Sequence, residues 1–328
     1  MSEPDRARPP AGDAEERPGL IEAVPVRHPW RWVAVAVIAV LTAMLLNLLL
    51  TNPIYNWPFV FEAMIQEPVI RGLLIGTLGA TVLGMVFGVL GGVLLAVMRL
   101  SENPVLRGVS WVYTWFFRAI PRYVLIVTMG VLGALFPEGI SLGVPFDWLI
   151  IDALGLSGDW RFVTLDAYAV FGGYFGAVLA LASSEAAYMA EIARSGILSV
   201  DRGQVEAAQA LGMSPGLAMR RIILPQAMRV IIPPTGNELI SMLKDTSLLT
   251  GLPLTTELFF QMQSIGSRTF QTFPVLVGAT LYYLALSSVL MVGQAWVERR
   301  FGRGVSPSAT PRQRTVVAPA AGDGSGAQ

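Results

Sequence analysis

Long apolar runs constrain this chain before anything else does. Residues 32–50 read WVAVAVIAVLTAMLLNLLL, and a helix of that length crosses the ~30 Å hydrocarbon core of a bilayer at ~1.5 Å per residue. Comparable runs follow at 72–98, 111–136, about 162–183 and 273–297. A soluble domain carries about a quarter charged residues. Here 14% are charged and 53% hydrophobic, so most side chains have lipid or protein as their solvent. The expected class is an all-α integral membrane protein.

No small-x-small cleavage site follows the first run; Thr51, Asn52 and Pro53 stand there instead. The run therefore reads as an uncleaved anchor, and 30–70 as this extra span with its outer loop. Residues 1–29 are rich in Pro, Arg, Glu and Asp and hold the single histidine, His28; they read as a disordered tail. Residues 299–328 read as a second one.

A weaker run, 230–251, contains Glu238, Lys244 and Asp245. Topology decides whether it counts. With six spans and the N-terminus inside, 20 of the 23 lysines and arginines fall on the cytoplasmic side, leaving Arg71, Arg161 and Arg268 outside. Enrichment of these residues in inner segments sets membrane orientation. Five spans would put the five C-terminal arginines outside. Six transmembrane helices are expected, with both termini cytoplasmic.

Each charge in the weak run costs roughly 2.5–3.5 kcal/mol at the bilayer centre. The three must face the bundle interior or a wet cavity, or pair. Pro233, Pro234 and Gly236 predict an irregular helix start, which a membrane tolerates where the backbone is covered by protein or lines water. Asn237, Glu238, Lys244, Asp245, Thr246 and Ser247 are candidates to line a translocation path or gate; an ion pair between helices is the other reading. In the second run Gly72, Gly76, Gly79, Gly84, Gly88, Gly91 and Gly92 point to close helix packing. The outer segment 137–166, with five acidic residues, is a candidate cover for the pore mouth.

The inner loop 195–229 is long and patterned. Asp201 with Gln204 predicts a capping box, residues 202–211 a helix, and Gly212 its left-handed end. Ser214 and Pro215 predict a second helix start, and Pro225 its stop. Two short helices on a glycine hinge make a knob with small residues (Ala207, Ala208, Ala210) and two arginines, Arg220 and Arg221, suited to acidic groups on a partner. By pattern alone, a loop packed on its own bundle fits equally well.

Several chemistries lack equipment. There is no cysteine, no Gly-rich loop ending in Gly-Lys-Ser/Thr, no His-Glu-x-x-His and no Gly-x-Ser-x-Gly. No catalytic or metal-binding residue is assigned, and the chain is expected neither to bind ATP itself nor to be an enzyme. The formal net charge is zero, and no nucleic acid is expected among its partners. Two competing classes are an ion-coupled secondary transporter using Glu238, Lys244 and Asp245, and a membrane scaffold. Secondary transporters usually show inverted repeats, and none is visible.

Glu206-Ala207-Ala208, then Gly212, then Ile222, Leu224 and Pro225 resemble the EAA loop of type I ABC importer permeases. Around it, 185–197 (EAAYMAEIARSGI), Gly203-Gln204, Pro225-Gln226-Ala227 and 244–248 (KDTSL) are similar to the polar amino acid branch of that family. So are Phe117, Arg118 and Pro121, although the branch usually reads Arg-Gly-Thr-Pro where this chain has Ile120 before the proline and Arg122 after it. The resemblance covers about 70–297 and implies the type I transmembrane-domain fold over 71–298. It implies that 199–225 is the coupling element, with Glu206, Ala207, Ala208, Gly212, Arg220, Arg221, Leu224 and Pro225 its contact residues, and that Arg118 lies on the path. It further implies a dimer of separate ATPase subunits carrying ATP and Mg, a second permease subunit, an extracytoplasmic solute-binding protein, a polar amino acid as cargo, and the bacterial cytoplasmic membrane as location.

Overall fold

The computed structural model describes residues 29–155, 158, 160–252 and 254–301. The expected tails, 1–29 and 299–328, lie almost wholly outside the described residues. The chain divides into two units, meeting between Pro53 and Ile54. The first contributes one helix, α1 (Pro29–Thr51), with no buried residue.

The second unit begins with α2 (Trp57–Met64) and α3 (Glu67–Arg71). From α3 a wide π-helical stretch, Gly72–Gly79, runs directly into α4 (Ala80–Leu100), giving a 34-residue apolar helix. The Asn103 side chain accepts from the Val105 amide and starts α5 (Pro104–Ala119), followed by α6 (Arg122–Leu135). The expected straight span over 111–136 is not formed: α5 and α6 are bent by 105°. The cause is Pro121, which has no amide hydrogen to donate and holds Ile120 extended at φ −90°, ψ 131°.

The segment 137–166 holds a two-stranded antiparallel ribbon, β1 (Ile140–Gly143) with β2 (Arg161–Leu165), and α7 (Asp147–Leu154). The expected span over 162–183 is therefore displaced. Its first residues pair as β2; Asp166 then caps α8 (Ala167–Phe171), Gly173 turns the chain at φ +60°, and the long helix is α9 (Gly173–Leu198). Its inner half continues through polar sequence that hydropathy alone did not assign to a span.

The loop at 199–225 holds α10 (Arg202–Ala210) and α11 (Pro215–Ala218). Pro225 does not stop the second helix. A wide turn, Met219–Ile223, carries α11 directly into α12 (Leu224–Asp245), and Pro225 falls in its first turn, where a missing amide hydrogen is tolerated. Pro233 and Pro234 likewise lie inside α12 rather than at its start, with Gly236 pressed against Gln294 of the neighbouring helix. A 3₁₀ turn (Thr246–Gly251), α13 (Leu258–Thr269) and α14 (Thr272–Phe301) complete the unit.

Among the described residues three helices (α1, the α3–α4 helix and α14) are long and apolar enough to cross a membrane, or four if the bent α5–α6 pair is one span. The 26-residue α9 and 22-residue α12 have the length but carry interior charges. The six-span expectation is consistent with this inventory. The core joins α4, α6, α9 and α12 through Met85, Ile126, Leu181 and Met242. Glycines set its closest approaches: a Cβ on Gly84 would stand 3.3 Å from Met242 Sδ, and one on Gly92 2.4 Å from Met189 Cβ.

Candidate functional site

Four charged side chains from three helices meet inside the bundle. Arg122 is the first residue of α6, at the bend. Its Nη1 donates to Asp245 Oδ2 at 2.5 Å, and its Nη2 to Glu185 Oε2 at 3.1 Å and Glu238 Oε2 at 3.3 Å. Glu238 and Asp245 are seven residues apart on α12, two turns along one helical face, so one guanidinium reaches both. Glu185 comes from α9 and is wholly buried. It fits there because the facing residue of α4 is Gly88, where a Cβ would stand 2.6 Å from Glu185 Cγ. One helical turn on, the Tyr188 ring lies 4.9 Å from the Arg122 guanidinium carbon and 5.5 Å from that of Arg118. Three carboxylates thus share one bonded cation, and Glu185 Oε1 is buried with no partner among the described residues.

A second buried carboxylate, Glu257, ends in the opposite condition. It caps α13, accepting from the Phe259 and Phe260 amides at 2.7 and 3.1 Å. Its other oxygen accepts from Thr77 Oγ1 at 2.9 Å and from the Tyr283 hydroxyl at 2.7 Å. Burial pushes this carboxyl above the ordinary carboxylate range, and those four bonds pull against the shift. Gly76 makes room here, since a Cβ on it would overlap the Thr256 carbonyl.

Of the path candidates, only Glu238 and Asp245 enter the four-residue cluster. Asn237 is exposed and accepts from Gln294 Nε2 at 2.9 Å; Lys244 is exposed. Thr246 and Ser247 bond back to the Leu243 and Lys244 carbonyls of their own helix. Arg118 reaches the cluster only through the Tyr188 ring. Sequence reasoning missed Arg122, Glu185 and Tyr188 as members. The available signal was Arg122 standing beside a proline, and Glu185 standing just past an apolar run that continues as helix. A cavity of about 690 Å³ opens between α4, α9, α12 and α14, but its walls are apolar and no cluster residue lines it.

The elbow at 199–225 takes a defined shape. Asp201 accepts from the Gly203 amide, and Gly212 sits at φ +73°, with its own amide and that of Met213 donating back to Gln209 and Ala208. Those bonds satisfy the last carbonyls of α10. Ala208 and Ala218 are buried beneath the elbow. Glu206, Ala207, Leu211, Arg220, Arg221, Leu224 and Pro225 face outward, with Leu211 80% exposed.

Apolar helices around an interior ion cluster, with an exposed helical elbow at one end, fit the class of membrane transport subunits. Comparison with known proteins gives the family. Residues 88–303 match the family described as "Binding-protein-dependent transport system inner membrane component". The arginine transport system permease protein ArgU of Corynebacterium glutamicum is 44% identical over 95% of this chain and 92% of its own length. The L-cystine transport system permease protein TcyB of Bacillus subtilis is 33% identical over 73% of this chain and 89% of its own. A solved structure described as an amino acid ABC transporter with histidines is 30% identical, with a TM-score of 0.54 over 71% of this chain and 94% of that one. A bacterial alginate ABC transporter, at 17% identity and a TM-score of 0.50 over 83% of this chain and 98% of that one, shares the fold. The chain belongs to this family of permeases: it is the membrane-spanning subunit of an ABC importer, with ATP hydrolysis the work of a separate subunit.

Proposed function

We propose that this permease imports amino acids across the bacterial cytoplasmic membrane, with both termini inside. In this reading the elbow 199–225 docks on an ABC ATPase dimer that carries ATP and Mg. Two permease subunits, identical or related, form the path between them, and an extracytoplasmic binding protein delivers solute at the outer ribbon and α7. The amino acid cargo rests on the named relatives. Glu206, Ala207, Gly212, Arg220, Arg221, Leu224 and Pro225 supply the docking surface, with Ala208 as its buried support. The path lies along the inward face of α12, where Glu238 and Asp245 meet Arg122.

One observation carries the reading: the exposed elbow continues without a break, through α11, the wide turn and α12, into the half-buried charged cluster. Movement imposed at Arg220 is thereby delivered to Asp245. Gly212→Val tests the joint, because a β-branched residue at φ +73° is strained by about 1–2 kcal/mol. The variant is expected to remain in the membrane and still hydrolyse ATP as a complex, with uptake in proteoliposomes uncoupled from hydrolysis. Normal coupled uptake would remove the elbow from the mechanism. Glu206→Lys should weaken co-purification with the ATPase; unchanged association contradicts the docking surface.

A further inference from the structure

Among the described residues Arg122 is the one cation bonded to a ring of three carboxylates, and two features point to room for more positive charge there. Carboxylates outnumber the guanidinium three to one. Independently, Glu185 Oε1 is wholly buried without a partner, while its sister oxygen is already committed to Arg122. Glu185 is paired through one oxygen only, and one guanidinium serves three carboxylates, so the cluster has hydrogen-bonding capacity left for a second cationic donor.

Arg122 itself reports the shape of cation that fits. One planar fork reaches Asp245 through Nη1 and both glutamates through Nη2. An ammonium ion is a compact point charge without that fork. Arg122 also has a place to withdraw to: its guanidinium already stands over the Tyr188 ring, and the side chain, 15% exposed, leaves the chain beside the Pro121 bend. A cation keeps a favourable contact on an aromatic face after leaving its carboxylates.

We propose that Arg122 is an internal stand-in for the cargo. Its guanidinium holds the carboxylate ring in the empty permease and exchanges there for the guanidinium side chain of a cationic amino acid. The proposal rests on the reading of α12 as the path, and names the cargo class for that path. In the exchange Arg122 lets go of the carboxylates and keeps its contact with Tyr188, the incoming side chain takes the fork positions on Glu185, Glu238 and Asp245, and the ring is never left without a counter-charge. An internal competitor also lowers the apparent affinity by the fraction of time it occupies the site, so cargo does not lodge there.

The test is binding of labelled arginine to the purified permease–ATPase complex, with uptake measured in proteoliposomes supplied with the binding protein. Arg122→Met should bind arginine about tenfold more tightly than the unmodified complex, as expected if Arg122 holds the ring about nine-tenths of the time, and should release it more slowly. Arg122→Lys, which keeps the charge but loses the fork, should move the same way by a smaller factor, and decides the matter if the methionine variant fails to assemble. Unchanged or weaker binding in these variants overturns the exchange. Guanidinium ion should compete with arginine where glutamine does not; equal competition overturns the cargo class. Glu238→Gln separates the two levels: retained binding and uptake would sink the path reading itself. Lost binding in Glu238→Gln, combined with no tightening in Arg122→Met, would sink the exchange alone.

Discussion

The two buried carboxylate sites pack against the same long α3–α4 helix and solve the same problem in opposite ways. Near Gly76, Glu257 is surrounded only by neutral donors, two amides and two hydroxyls, and both of its oxygens are used. Near Gly88, Glu185 shares one guanidinium with Glu238 and Asp245, and keeps one oxygen idle. The first is a closed account of hydrogen bonds that ties α3–α4, α13 and α14 together. The second is left electrostatically open. A membrane protein tolerates buried charge where it holds structure or where it handles cargo, and the count of satisfied oxygens separates the two cases.

The largest expected effect tests the closed site. Glu257→Ala strands four donors away from water, at roughly 1–3 kcal/mol for each unmet group, so folded yield in detergent should collapse. Recovery at ordinary yield with an unchanged melting midpoint would erase the distinction. Next comes the open site. Glu185→Gln removes one of three crowded negative charges, so the melting midpoint should hold or rise. Uptake, having lost a charge-assisted contact of ~1.5–3 kcal/mol, should fall about tenfold or more. A variant that melts early yet transports normally would reverse the assignment. The smallest effect refines the closed site: Tyr283→Phe deletes one of four bonds, and a hydrogen bond inside a membrane bundle averages about 0.6 kcal/mol. A slight fall in midpoint with intact uptake is expected from paired thermal melts and transport assays.

How far the sequence foretold these sites follows from what each signal reports. Hydropathy found α1, α4 and α14 because each holds a long apolar window with few charges. It misplaced α9, whose inner half is buried by protein and is free to be polar at Glu185, Glu191 and Arg194. Local chemistry placed the elbow well: Asp201 caps and Gly212 turns left-handed as expected. Pro225 and Pro233 misled because a proline's cost depends on what precedes and surrounds it. Here a wide turn comes before Pro225, and α14 stands behind Pro233 and Pro234, with Gln294 Nε2 3.4 Å from the Pro233 carbonyl. The weak run had to turn its charges inward, and Glu238 and Asp245 do so. Their partner was not legible, because Arg122 lies 116 and 123 residues away in sequence. Only the fold, through the Pro121 bend, brings it to them.

The unbroken helical path from Pro215 to Asp245 also has a phase. Arg221 and Asp245 sit on a single screw, so the outward pose of one and the inward pose of the other are set by the residues counted between them. One residue inserted between 226 and 237 would rotate Asp245 by about 100° and lift it ~1.5 Å, turning it from Arg122 toward lipid. Seven would restore the angle to within ~20° while adding ~10 Å of length. The span therefore has a fixed thread count as well as a fixed length.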